Sequence, residues 1–129
     1  MTRYLLDTNH LADAVRRVSR IRDRIRRQHL AGDRFGTCGP ALCELEAGIQ
    51  QTSKPAASRR RLNRLLNEVR LWPIDPPVAE VIGAVHLELQ RAGRALSQVD
   101  RMLAALARHM NLTLLTTDQD FQAHPDITT

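Results

Sequence analysis

The sequence predicts an α/β fold: a single domain built on a central, mostly parallel β-sheet flanked by helices. Three observations carry this expectation. Short apolar or β-branched stretches alternate with longer segments of helical period, Pro, Asp or Ser opens several of the longer segments, and Gly closes two of them. At 129 residues the chain has room for one domain, residues 1–129, with a real core.

Arg3 to Leu6 is the first short strand, cut off abruptly by the polar Asp7-Thr8-Asn9. From about residue 10 to 30 a helix, or helix pair, follows. Val18, Ile21 and Ile25 carry its apolar period, Arg16, Arg17, Arg20, Arg24 and Arg27 occupy its other sides, and Gly32 stops it. Phe35 to Cys38 reads as a second strand, and Pro40 opens a helix with Leu42, Leu45 and Ile49 on one side. Ser53 to Ala57 is a break, after which Leu62, Leu65, Leu66 and Val69 fall at i, i+3, i+4 and i+7 among exposed arginines. Leu71 to Ile74 is a third strand. Asp75-Pro76-Pro77 starts a helix whose stripe of Val78, Val81, Ile82, Val85 and Leu89 runs until Gly93. Ser97 begins another, with Val99, Met102, Leu103, Leu106 and Met110 inward. Thr113 to Thr116 is the last long strand, leading into Thr117-Asp118-Gln119-Asp120-Phe121.

Hydrophobic residues at 43% and charged residues at 26% match an ordinary globular chain, which removes disordered and repeat classes from consideration. No apolar run approaches the roughly 18 residues of a membrane span, and the opening MTRYLLDTNH lacks the layout of a signal peptide, so a cytoplasmic location is expected. Cys38 and Cys43 have no His or Cys cluster near them in sequence to complete a zinc site and read as reduced, packed thiols. The net charge is +5, and 18 of the 19 basic residues are arginine, whose planar fork binds phosphate. This balance fits a nucleic-acid partner, although arginine-rich usage also follows from a GC-rich coding bias.

Four acids interrupt apolar or small-residue stretches: Asp7, Glu44, Asp100 and Asp118. In a parallel sheet ligands bind beyond the carboxyl ends of the strands, where Asp7 and Asp118 both fall. Glu44 lies in the helix after the second strand, with small Ala41 and Gly48 at i−3 and i+4, and Asp100 sits in the first turn of its own helix. Carboxylates set against a core usually serve a cation, and an oxygen-rich cage suits Mg²⁺ or Mn²⁺. Each acid also has a purely structural alternative. Asp7 or Asn9 caps a helix, Ser97 to Asp100 forms a capping box, Asp118 organises a turn before Phe121, and Glu44 is a solvated neighbour of Glu46.

Taken together, the runs LLDTNHLADAV, ALCELEAGI and VDRMLAALARHMNLTLLTTDQDF, in this order, resemble a PIN domain of the VapC type, the toxin half of a bacterial type II toxin–antitoxin pair. The resemblance spans nearly the whole chain and is weakest in the arginine-rich middle. It implies that Asp7, Glu44, Asp100 and Asp118 are the four catalytic acids, in that order, with Asp7, Asp100 and Asp118 as metal ligands. It favours Glu44 over Glu46, matches Thr116 to a hydroxyl residue beside the last acid, and leaves Asp120 as a further accessory acid. It also implies Mg²⁺-dependent endoribonuclease activity, with Mn²⁺ as a substitute, an RNA substrate, a homodimer and a cognate VapB-type antitoxin whose C-terminal segment reaches the active-site groove. Arg101 departs mildly from the family pattern, which more usually has a small or apolar residue after the third acid; a cation there is expected to pair with Asp100 or contact RNA.

Two other functions fit parts of this pattern. A haloacid-dehalogenase-like phosphatase also places an Asp after its first strand, but needs a second Asp two residues later, where this chain has Asn9. A catalytically inactive PIN-type RNA-binding module would have no use for four carboxylates in a groove that repels phosphate.

Overall fold

The computed structural model describes residues 1–116. Four parallel strands, β1 (Arg3–Leu6), β2 (Arg34–Cys38), β3 (Val69–Trp72) and β4 (Thr113–Leu115), form one sheet in the order β3-β2-β1-β4. Among the described residues every strand pairing is parallel, with Leu5 opposite Gly36 on one side and Leu114 on the other. Each crossover consists of two helices. They are α1 (Thr8–Ala14) and α2 (Arg20–Leu30), then α3 (Gly39–Gln50) and α4 (Pro55–Leu65), then α5 (Pro76–Arg91) and α6 (Gln98–Met110). The third crossover runs back past β1, so right-handed connection carries α5 and α6 to the opposite face from α1 to α4. Packing agrees: α1 rests on α2 and α3, α3 on α4, and α5 pairs along α6.

Burial along the strands follows from this layering. Consecutive Leu5 and Leu6 in central β1 are both fully buried, as are the four residues Phe35 to Cys38 of β2, because helices cover both faces. At the sheet edge, β3 buries Val69 and exposes Arg70 and Leu71. The core closes with Leu11, Ile25, Leu45, Ile49, Leu62 and Leu65 from one helical layer and Val78, Val85, Leu103 and Leu106 from the other. No helix among the described residues is long and apolar enough to cross a membrane.

Several sequence expectations shift for identifiable reasons. The stretch 10–30 is a helix pair, because Ser19 accepts from the Arg22 amide at 3.1 Å and starts a new helix there. Val18 therefore leaves the apolar period and lies exposed in the turn. The break before α4 is shorter than 53–57, since Pro55 already occupies the first helical turn. Helix α4 ends at Leu65, and Val69, expected on its apolar stripe, instead begins β3 opposite Phe35, which moves that strand to 69–72. An apolar residue at i+7 does not distinguish one more helical turn from a new strand. Cys38 is packed as expected, but Cys43 is exposed.

Gly36 is required by close approach. A Cβ built there would lie 2.4 Å from the Trp72 ring, which covers β2 from the neighbouring strand. Gly36→Ala is expected to destabilise the domain by about 1–3 kcal/mol, the usual cost of overpacking. Urea unfolding checks this, and Trp72→Leu in the Gly36→Ala background is expected to recover part of the loss.

Candidate active site

The strand order reverses between β1 and β4, and the chain leaves both strands at the same edge. Asp7 directly follows β1, and its amide donates to the Leu115 carbonyl at 3.4 Å. The residue is only 4% exposed, a strongly desolvated position for a charge. Oδ1 accepts from the His10 amide at 2.8 Å, which makes Asp7 the N-cap of α1, and also lies 2.8 Å from His10 Nδ1. With the carboxylate ionised, Nδ1 must carry the proton. Burial pushes the Asp7 carboxyl up. Hydrogen bonds from the His10 ring, the Thr116 hydroxyl and the His10 amide, with the His10 charge, outweigh it and hold the group below the ordinary carboxylate value.

Capping and charge storage are thus the same contact at Asp7, so the capping alternative and the metal-ligand reading are not exclusive. The same overlap holds at α6, where the Ser97 hydroxyl accepts from the Asp100 amide at 3.1 Å while both residues line the cleft. Asp100 is half-buried in the first turn, where the helix dipole favours a negative charge. Fully buried Ala104 and nearly buried Ala107 continue its helix into the core and let α6 sit close to its neighbours.

Glu44 and Glu46 separate cleanly. Thr8 Oγ1 donates to Glu44 Oε1 at 2.9 Å, turning Glu44 toward the end of α1. Glu46 instead forms a two-point pair with Arg59 of α4, at 2.9 and 2.6 Å. Asp7, Thr8, Asn9, Glu44, Ser97 and Asp100 line one cleft of about 190 Å³. Three of the four expected acids therefore line the same cleft. Asp118 and Asp120 lie outside the described residues, while Thr116, expected as an accessory, bonds Asp7. Among the described residues no three His, Cys, Asp or Glu side chains form a ready-made ligand cluster. The Cys38 thiol is pushed up by burial, with a smaller contribution from the nearby Glu44 charge.

Sequence reading gave no role to Thr8 or His10. For His10 the signal lay in plain view, an imidazole three places after a candidate acid at a helix start, where i to i+3 contacts form, whereas Thr8 bonds an acid 36 residues away. Arg101, expected to pair with Asp100 or contact RNA, sends Nη1 to His86 Nδ1 of α5 at 3.1 Å.

The sequence model of the PIN domain matches residues 4–127. The chain belongs to the PIN-domain family. Among curated relatives, this PIN domain is 33% identical over 99 residues to Ribonuclease VapC4 of Mycobacterium tuberculosis, covering 75% of this chain and 76% of that protein. Ribonuclease VapC5 of the same organism is 28% identical over 96 residues, covering 73% and 71%. These place the PIN domain with the VapC type. In fold it is similar to VapBC2 from Rickettsia felis, solved with a promoter DNA fragment, at TM-score 0.86, 20% identity and coverage of 98% and 96%. DNA-bound VapBC from Salmonella typhimurium aligns at TM-score 0.83, 22% identity and coverage of 99% and 96%.

A lowered carboxylate pKa in this PIN domain adds stability that is fully present above the unfolded value, about 3.9, and is lost as pH falls through the folded value. In EDTA, acid unfolding of Asp7→Asn, which keeps a good N-cap residue, is expected to depend less steeply on pH in that window than wild type. Equal slopes, read by circular dichroism, would show that Asp7 ionisation carries no stability.

Proposed function

We propose that this PIN domain is a Mg²⁺-dependent endoribonuclease, the toxin of a type II toxin–antitoxin pair, with Asp7, Glu44, Asp100 and Asp118 as its four-acid site. The observation that supports this most is the meeting of Asp7, Glu44 and Asp100, from three separated segments, in one cleft at the switch point of the sheet. An all-oxygen donor set suits a hard cation such as Mg²⁺, which keeps several of its waters when carboxylates bind it. Asp7, Asp100 and Asp118 would hold the ion, Mn²⁺ serving in its place. When bound, the ion would supply neutralisation of the carboxylate charge, acidification of water and stabilisation of charge on the phosphate.

The side chains prepare the remaining chemistry. The His10 and Thr116 bonds keep Asp7 ionised and fixed, so it needs no reorganisation when the ion or substrate arrives. Thr8 restrains Glu44, which accepts a proton from the water attacking the RNA phosphorus as the P–O bond to the departing nucleotide breaks. Asp120 stands as an accessory acid. The chain is arginine-rich and carries a net charge of +5, which suits a polyanionic substrate.

Cleavage of total cellular RNA by purified, antitoxin-free protein with Mg²⁺, with Mn²⁺ and with EDTA tests the proposal. Discrete metal-dependent fragments are expected, absent from Asp7→Asn and Asp100→Ala. Thr8→Val is expected to lower kcat by about 10-fold or more, the lower range of losses when a catalytic group loses its orientation. RNA that binds equally with and without EDTA and is never cut would instead mark an inactive RNA-binding module.

We also propose a VapB-type antitoxin partner, a reading supported by the likeness to VapBC complexes, and, from the family resemblance alone, a homodimeric toxin and an antitoxin C-terminal segment that enters the acidic cleft. Light scattering after size exclusion is expected to give twice the chain mass of 14.6 kDa, and a monomer across micromolar concentrations would refute the dimer.

A further inference from the structure

A groove of about 610 Å³ runs between α1 and α3 toward the start of α4, and it shares Thr8 and Glu44 with the acidic cleft. Its far end carries exposed Arg16 and Arg17 together with Lys54 and Arg61. Arg16 and Arg17 sit in the turn between α1 and α2, and that turn is held in an uncommon way. Arg22 donates to the carbonyls of Ala14 at 3.0 Å, Arg17 at 3.1 Å and Arg16. Arg61 of α4 donates to the Val15 carbonyl. Two guanidinium groups thus hold four successive carbonyls, and Ser19 ties the turn to Asp13 at 2.7 Å.

Five fixed donor contacts are more than a surface turn needs, since exposed carbonyls at a helix end are satisfied by water. Their effect is to remove the freedom of the backbone that presents Arg16 and Arg17, while adding two further positive charges beneath it. Asp13 lies 3.8 Å from Arg16, too exposed a pair to cancel this field. The cleft itself repels phosphate, because Asp7, Glu44 and Asp100 line it. A polyanion crossing that cleft needs cations beyond it. Helix α1 separates the two ends by seven residues, about 10 Å at 1.5 Å per residue, a span of a few nucleotides.

We propose that the Arg16-Arg17 turn is a phosphate-binding clasp for single-stranded RNA flanking the cut site, and that Arg22 and Arg61 are positioning residues that preset it. The inference rests on the reading of the chain as a ribonuclease and adds the path of the substrate and the residues that hold it.

The test is fluorescence anisotropy of a fluorescein-labelled single-stranded RNA oligonucleotide with the full chain, in EDTA, from 50 to 200 mM KCl. Two phosphate contacts contribute about 1.4 to the salt slope, or about a sevenfold steeper loss of affinity across that range. Arg16→Gln/Arg17→Gln, whose altered side chains are exposed, is expected to remain folded and lose this part of the slope. Arg22→Ala is expected to lose a similar part with Arg16 and Arg17 still present, to raise KM for RNA in Mg²⁺ with kcat held, and to be only partly rescued by Arg22→Lys. If Arg22→Ala does not fold, the double variant decides. An unchanged slope in the folded double variant overturns the clasp, even where wild type cuts RNA. So does an unchanged slope with lost binding of an acidic VapB-type C-terminal peptide, which assigns the turn to the antitoxin. An arginine-dependent slope in a protein that never cuts RNA upholds the clasp and defeats the nuclease reading alone.

Discussion

The arrangement of this domain turns on one buried charge. Asp7 ends the central strand, caps the first helix and sits among groups that keep it ionised despite its burial. The fold accommodates it because a helix start supplies the compensation a buried carboxylate needs: an amide at 2.8 Å, a protonated ring nitrogen and a hydroxyl from the adjoining strand end. Those partners come from α1 and from the residue after β4, so stabilising the charge also joins the two sides of the switch point.

Around this anchor the other acids are held more loosely, and in graded fashion. Asp100 is half-buried at the start of α6, fixed by a cap and by the core alanines behind it. Glu44 is exposed and restrained by one hydroxyl. In the proposed metal site this grading would set a rigid ligand on one side and an adjustable carboxylate on the other. The neighbouring Glu46, two residues along the same helix, is withdrawn into a pair with Arg59 and serves the α3–α4 hairpin instead.

Much of this was legible in the sequence. Strand-then-acid at Asp7, the Pro-led helix starts and the Ser97 cap each depend on local backbone chemistry, which single residues report faithfully. The fold class followed from the alternation of periods. What sequence did not reveal depends on distant partners. Val69 matched a helical stripe and became a strand because β2 was there to pair with it. Thr8 looked like a turn residue, because the Glu44 oxygen it bonds lies 36 residues away in the chain. The Arg22 and Arg61 contacts were equally hidden among 18 similar arginines, none distinguished by its neighbours in the chain.

The exposed edge of the sheet has a consequence for how such a protein accumulates. Strand β3 leaves its outer side uncovered within the described residues, and an open edge of parallel sheet is a template for polymerisation. Here it is only four residues long and carries Arg70 outward, so a second edge would meet a short ladder and a like charge. The short basic edge thereby protects the domain from self-propagating strand addition at β3.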